Sequence, residues 1–149
     1  MKLVVQRVSY ASVKVDGKTV GKINEGLMIL LGAKKGDTEK DVEYCVEKAI
    51  NLRIFNDEND KMNLSVKDIN GEMLVISQFT LYGDTSHGRR PSFIEAEEPA
   101  RANELYELFV KKARESGLKV ETGIFRADMK VELLNNGPVT LMIESKNNE

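Results

Sequence analysis

From Leu3 to Val15 the apolar residues are Leu3, Val4, Val5, then Val8, Ala11, Val13 and Val15, with the clearest alternation at Val13-Lys14-Val15. That pattern predicts a long strand. Asp16-Gly17 follows, a pair that accepts the positive φ values of a two-residue type I′ hairpin. Lys18 to Ile23 then returns as the partner strand, and Asn24-Glu25-Gly26 makes another turn. Leu27-Met28-Ile29-Leu30-Leu31 is apolar without a break and of strand length, so a strand buried on both faces is expected there.

Beyond the loop from Gly32 to Gly36 the period changes. Val42, Cys45, Val46, Ala49 and Ile50 fall on one face of a helix. Asp37 or Thr38 can cap that helix, and Glu39 and Asp41 place negative charge in its first turn. Cys45 therefore reads as core packing. Arg53-Ile54-Phe55 is a short extended piece, followed by a polar stretch from Asn56 to Lys61. Asn70-Gly71 is a second hairpin signal, and Met73-Leu74-Val75-Ile76 a second buried strand. Thr85 to Glu98 is a polar loop of a length that is more often functional or mobile than decorative. Pro99 suits the first turn of a second helix, with Ala102, Leu105, Tyr106, Phe109 and Ala113 on its buried face and Gly117 at its end. Leu118–Thr122, Asp128–Leu134 and Val139–Ile143 read as strands, and Ser145–Glu149 as a frayed tail. The elements add up to an α+β fold: a curved, barrel-like, mainly antiparallel sheet with two main helices and no regular β-α-β alternation. With no repeat and no linker, residues 1–149 are expected to form one domain.

Composition narrows the function classes. A chain of 149 residues can bury roughly 68–70% of its unfolded surface and needs no staples. The single Cys45 excludes an intrachain disulfide framework and a cysteine-rich zinc site. No secretory signal pattern opens the chain, and no apolar run approaches the ~18 residues of a membrane span; a soluble cytoplasmic protein is expected. The net charge of −2 argues against a charge-driven, high-affinity nucleic-acid binder. Positive charge gathers locally at His87-Gly88-Arg89-Arg90, a loop whose plain reading is solvated surface.

The candidate chemistry lies where the strand Met73–Ile76 ends, in Ser77-Gln78-Phe79-Thr80-Leu81-Tyr82-Gly83-Asp84-Thr85. There hydroxyls, an amide and backbone N–H groups meet a Gly-Asp turn at a sheet edge, where binding and chemistry are often placed. A nucleophilic triad is hard to assemble, because the only histidine is His87 and threonine is weak without an oriented base. No clustered ligand set suggests a metal, and no Gly-rich phosphate loop is present; neither a metal nor another cofactor is expected. Near the C-terminus, Asn136-Gly137 has the look of a hairpin turn between two strands. Pro138 complicates that reading, since it removes a donor from the ladder. If Gly137-Pro138 is cis, its two carbonyls can point the same way as a rigid pair of acceptors.

Gln6-Arg7-Val8, Leu52-Arg53-Ile54-Phe55, Lys61-Met62-Asn63-Leu64, Ser77-Gln78-Phe79-Thr80-Leu81, Arg90-Pro91-Ser92-Phe93 and Asn136-Gly137-Pro138-Val139-Thr140 occur in that order. Together, and over essentially the whole chain, they resemble the D-aminoacyl-tRNA deacylase (D-tyrosyl-tRNA deacylase) family. The resemblance implies a cytoplasmic homodimer that hydrolyses the ester between a D-amino acid, or glycine, and the 3′-terminal adenosine of tRNA, and rejects L-aminoacyl-tRNA. It places Ser77, Gln78, Phe79 and Thr80 in the catalytic pocket. Gly137 and Pro138 would enter from the other subunit to screen chirality, with Arg7 holding their orientation and Met129 lining the pocket. It also implies that the ribose 2′-OH assists, while backbone N–H groups near Phe79 and Thr80 stabilise the oxyanion. Two readings from the residues stand beside this one: a non-catalytic oligomeric module that binds nucleotides or RNA ends, and a hydrolase with Thr80 as nucleophile.

Overall fold

A computed structural model describes residues 1–145. The long first strand, β1 (Lys2–Val15), is the spine of a six-stranded sheet. Along one edge it pairs antiparallel with β8 (Lys130–Glu144), from Lys2 opposite Glu144 to Lys14 opposite Lys130. Along its other edge it pairs first with β3 (Gly26–Gly32), Leu3 opposite Leu31, and then with β2 (Lys18–Ile23), Val13 opposite Gly21. Asp16 and Gly17, at φ 51° and 78°, make the expected hairpin turn between β1 and β2.

The sheet continues with β6 (Glu72–Ser77) parallel to β3 and β7 (Lys119–Thr122) parallel to β6. It is therefore mixed, and two crossovers that the sequence did not suggest account for it. Helix α1 (Glu39–Asn51) lies on the way from β3 to β6, and α2 (Pro99–Glu115) on the way from β6 to β7. Parallel neighbours need such long returns. The alternation was hidden because a two-stranded hairpin, β4 (Phe55–Asn56) and β5 (Met62–Leu64), separates α1 from β6. The polar loop 83–98 likewise separates β6 from α2. Asn70-Gly71 is not a hairpin turn: Asn70 has φ 55°, but the strand that follows joins a parallel ladder.

Two apolar clusters form, one on each side of the central strands. Leu27, Ile29, Leu31, Met73 and Val75 face the helices, where Val42, Cys45, Leu105 and Phe109 pack on them. Met28, Leu74 and Ile76 point the other way, into the curl, where Val8, Ala11, Val13 and Ile23 meet them. The run at Leu27–Leu31 is buried on both faces, as its unbroken apolarity implies. β1 changes the face it buries near Arg7 and Val8, where its register with β8 shifts. Gly21 lets the curl tighten, since a Cβ there would lie 2.5 Å from the Thr122 carbonyl oxygen. The result is a nearly closed barrel.

Thr38 caps α1 reciprocally with Asp41, and Pro99 opens α2, as their positions predict. The frayed tail expected for 146–149 lies outside the described residues. Ser145 itself is tied down, its N–H bonded to Met1 O at 3.0 Å and its hydroxyl to Asp41 Oδ1 at 2.7 Å.

Cys45 is wholly buried, and burial pushes its thiol from 9.0 up to about 12. In the unfolded chain the thiol ionises near pH 9, whereas the folded protein keeps the proton. The stability linked to this group is thus full below about pH 9 and is lost as pH rises toward 12. Urea unfolding at pH 10 should show about 1 kcal/mol less stability than at pH 8 from this source. The expected result is a smaller pH drop in Cys45→Ala than in the wild type; equal drops would show that the thiol ionises while folded.

Candidate active site

Ser77 closes β6 opposite Leu31 of β3, and Gln78 N–H extends the ladder by donating to Leu31 O at 2.8 Å. The chain then leaves the sheet through a single 3₁₀ turn, Phe79–Tyr82. Leu81 N–H donates to Gln78 O at 3.3 Å, and Gly83 N–H to Thr80 O at 2.9 Å. The N–H groups of Phe79 and Thr80, first in the turn, have no main-chain acceptor among the described residues. That is the ordinary condition of a helix start, here placed at the end of a buried strand. The side-chain amide of Gln78 donates to the Thr80 hydroxyl. The neighbour of that hydroxyl is therefore a donor and not a base.

The Phe79 side chain is 55% exposed and meets Phe93 edge to face, with ring centroids 5.2 Å apart. Gly83 makes this approach possible, because a Cβ there would lie 2.8 Å from the Phe93 ring. Beside the two rings opens a cleft of about 800 Å³. Ser77, Gln78, Phe79 and Met129 all line it, over a floor that includes Leu31 and Ile76. The Met129 sulfur sits against Gly123, where a Cβ would come within 2.5 Å of it. On the rim, Lys35 and Arg126 are set against Glu97, Glu98 and Asp128. Four of the residues singled out in the sequence thus meet in one cavity. Thr80 stands just outside its lining, and Arg7, Gly137 and Pro138 are elsewhere.

Those three belong to an excursion in β8. Between the pairs Gln6–Thr140 and Val8–Asn135, two steps along β1 face five along β8. The surplus, Asn136 to Val139, loops out while the strand keeps its direction, so Asn136-Gly137 is not the turn of a hairpin. The Gly137-Pro138 peptide is cis, Gly137 has φ 123°, and both residues are exposed. Arg7 is only 8% exposed. Its Nε donates to Asn136 O at 3.0 Å and its Nη1 to Ile54 O at 2.7 Å, fixing the base of the loop to the segment after α1.

Asn135 opens the stretch Asn135–Thr140 that the sequence singles out beside Ser77–Thr85, but the sequence assigns it no role of its own, and it has one here. Its Nδ2 donates to Arg7 O and to Val139 O, each at 3.0 Å, and its Oδ1 accepts from the Thr140 hydroxyl at 3.3 Å. One amide thus closes the neck of the loop. The signal was masked by Asn136-Gly137, which made the neighbouring Asn135 look like part of a turn; its cross-strand place emerges only from the register.

The family model described as D-Tyr-tRNA(Tyr) deacylase matches residues 4–144. The chain belongs to this family. A D-aminoacyl-tRNA deacylase of Aquifex aeolicus (strain VF5) is 62% identical over 146 residues, which cover 98% of this chain and 99% of that one. Another, from Clostridioides difficile (strain 630), is 59% identical over 145 residues and 97% of each chain. Among solved structures, that of a c-Myc DNA Unwinding Element Binding Protein has 40% sequence identity and a TM-score of 0.91, covering 97% of this chain and 98% of its own. A probable eukaryotic D-amino acid tRNA deacylase shares the fold at 17% identity and a TM-score of 0.81, over 96% and 98% of the two chains.

Proposed function

We propose that this enzyme hydrolyses the ester joining a D-amino acid, or glycine, to the 3′-terminal adenosine of tRNA and leaves L-aminoacyl-tRNA intact. The observation that carries the activity is the match to D-aminoacyl-tRNA deacylases along nearly the full chain, 62% identical for that of Aquifex aeolicus (strain VF5). Incubation with D-Tyr-tRNA, following loss of the ester, tests it. Release of tyrosine above the spontaneous rate is expected; tight binding with the ester preserved would favour a nucleic-acid-binding module. The name of the 40% identical structure suits that rival, but a net charge of −2 does not suit a binder driven by phosphate contacts.

In the proposed mechanism the cleft positions the ester against the N–H groups of Phe79 and Thr80, which stabilise the oxyanion as it develops. Backbone donors suit this task because they are held by the fold and need no reorganisation. The ribose 2′-OH beside the ester activates or orients water; among the described residues that line the cleft there is no histidine, and its carboxylates Glu97, Glu98 and Asp128 are not on the strand end that carries the oxyanion donors. Ser77 and Gln78 hold the shape of the strand end. With an amide donor as its neighbour, Thr80 is a poor nucleophile. Thr80→Ala is therefore expected to keep kcat within about tenfold of wild type, whereas loss of a true nucleophile costs about 10⁴-fold. Steady-state turnover of D-Tyr-tRNA distinguishes the two.

The site is completed by a second copy. Val131 lines the cleft and Gly137 is six residues further along β8, up to about 20 Å away in extended chain. Neither Gly137 nor Pro138 lines the cleft of its own chain. β8 is also a long edge strand that exposes Leu134, Leu141 and Met142, and apolar edges of that kind call for a cover. In the proposed homodimer, Gly137 and Pro138 of one protomer enter the cleft of the other. Their carbonyls accept the substrate ammonium, and the backbone leaves room for hydrogen but not for an L side chain. A D side chain points outward, so its identity matters little, and glycine passes. Charged tRNA as substrate places the reaction in the cytoplasm, and no helix among the described residues is long and apolar enough to cross a membrane.

A further inference from the structure

A tRNA brings a line of phosphates to the cleft, yet the cleft rim is not built to hold them, because Lys35 and Arg126 are outnumbered there by Glu97, Glu98 and Asp128. The cations without that opposition lie next to it. Asp84 and Ser92 exchange two backbone hydrogen bonds, Asp84 N–H to Ser92 O at 2.7 Å and Ser92 N–H to Asp84 O at 2.9 Å. The pair pins residues 85–91 into a closed tip. The Asp84 carboxylate, the one acid at the neck, is engaged by the Ser86 hydroxyl at 2.6 Å and the Ser86 N–H at 2.9 Å. The tip exposes His87, Arg89 and Arg90, and neither arginine has an ion-pair partner among the described residues.

The base of this loop is also the wall of the cleft. Gly83 packs under Phe93, and Phe93 meets Phe79 at the cleft's edge. Further along, Lys35 N–H donates to Glu95 O and Glu97 N–H to Ala33 O, each at 3.0 Å, so the segment is anchored on both sides of the opening. The backbone that carries two adjacent arginines is thus anchored beside the place where a terminal nucleoside would sit. Guanidinium groups bind phosphate oxygens in a bidentate fork.

We propose that Arg89 and Arg90 grip the phosphodiester backbone of the tRNA acceptor end, just inward of the terminal adenosine. The proposal rests on the deacylase reading above. Contacts of this kind set register and affinity without reading sequence. They explain how a protein with no overall positive charge engages a polyanion at one end only.

The test compares wild type with the double variant Arg89→Gln/Arg90→Gln on two substrates, D-Tyr-tRNA and the minimal ester D-Tyr-adenosine, which lacks the phosphates. The expected result is a rise of about tenfold or more in KM for D-Tyr-tRNA with kcat retained. The slope of log affinity against log salt should flatten by about one to two. Turnover of D-Tyr-adenosine should be unchanged, which also shows that the variant is folded. An unchanged KM for D-Tyr-tRNA, or equal losses on both substrates, would overturn the proposal. Binding of uncharged tRNA by fluorescence anisotropy separates this inference from the one beneath it. If wild type releases no tyrosine but the variant binds uncharged tRNA about tenfold more weakly, the deacylase reading falls and the loop assignment stands. Equal binding by the two proteins would remove the loop assignment.

Discussion

D-Tyr-tRNA whose terminal ribose carries hydrogen in place of the 2′-OH is expected to be hydrolysed about 10²–10⁴-fold more slowly than the normal substrate, the range a positioned acid–base group contributes. The reason lies in what the cleft contains. His87, the only histidine, is on the exposed tip beyond Asp84 and does not line the cavity. The Thr80 hydroxyl is bonded to an amide donor, and Cys45 is sealed in the core with its thiol pushed up to about 12. The carboxylates that line the cleft, Glu97, Glu98 and Asp128, belong to the segments just before α2 and just before β8, not to the strand end that carries the N–H groups of Phe79 and Thr80. In the proposed mechanism the protein supplies placement and oxyanion donors, and the substrate's own hydroxyl supplies the group that handles water. Single-turnover rates on matched 2′-OH and 2′-H substrates measure this, with binding checked separately. Equal rates would mean that a protein group does the work, and the rim glutamates would be the first to examine.

Gly137→Ala is expected to lower D-Tyr-tRNA turnover by about 10²-fold, the scale of a 1 Å misplacement in a positioned site, with little change in thermal stability. Two observations fix that expectation. Gly137 sits at φ 123°, a region that L side chains rarely adopt, and a Cβ on it would lie 2.5 Å from Arg7 Nη2. Arg7 has little room to withdraw, because it is buried and already committed to Asn136 O and Ile54 O. The loop must shift instead, and under the proposed screening role a shifted backbone changes what it admits. Because Gly137 and Pro138 are exposed, and only Val139 of the loop packs against an apolar cluster, the melting temperature should stay close to that of wild type. Normal turnover with normal rejection of L-Tyr-tRNA would detach Gly137 from the site.

The sequence was most informative where one interaction decides the structure. Asp16-Gly17 turned β1 into β2, Thr38 capped α1, and the unbroken run at Leu27–Leu31 was buried on both faces. Ser77, Gln78, Phe79 and Met129 converge on the cleft because the end of β6 and the approach to β8 come together there. It was least informative where pairing over long separations decides. The parallel neighbours of β6 depend on crossovers, and no local pattern distinguishes a parallel strand from an antiparallel one. Asn136-Gly137 carried the local mark of a hairpin, with only Pro138 against it. Only β1, continuing to pair on both sides of the excursion, makes it a loop within one strand. The role of Asn135 was not legible for the same reason, since its partners Arg7 O and Val139 O are brought together by register.

The central claim is that a rigid backbone admits one hand of amino acid and excludes the other while RNA supplies the chemistry. The most direct measurement is ester loss from D-Tyr-tRNA and from L-Tyr-tRNA under the same enzyme concentration and buffer. The account predicts that the D ester is emptied while the L ester decays at its spontaneous rate. Comparable enzymatic loss of both, or loss of the L ester alone, would contradict it.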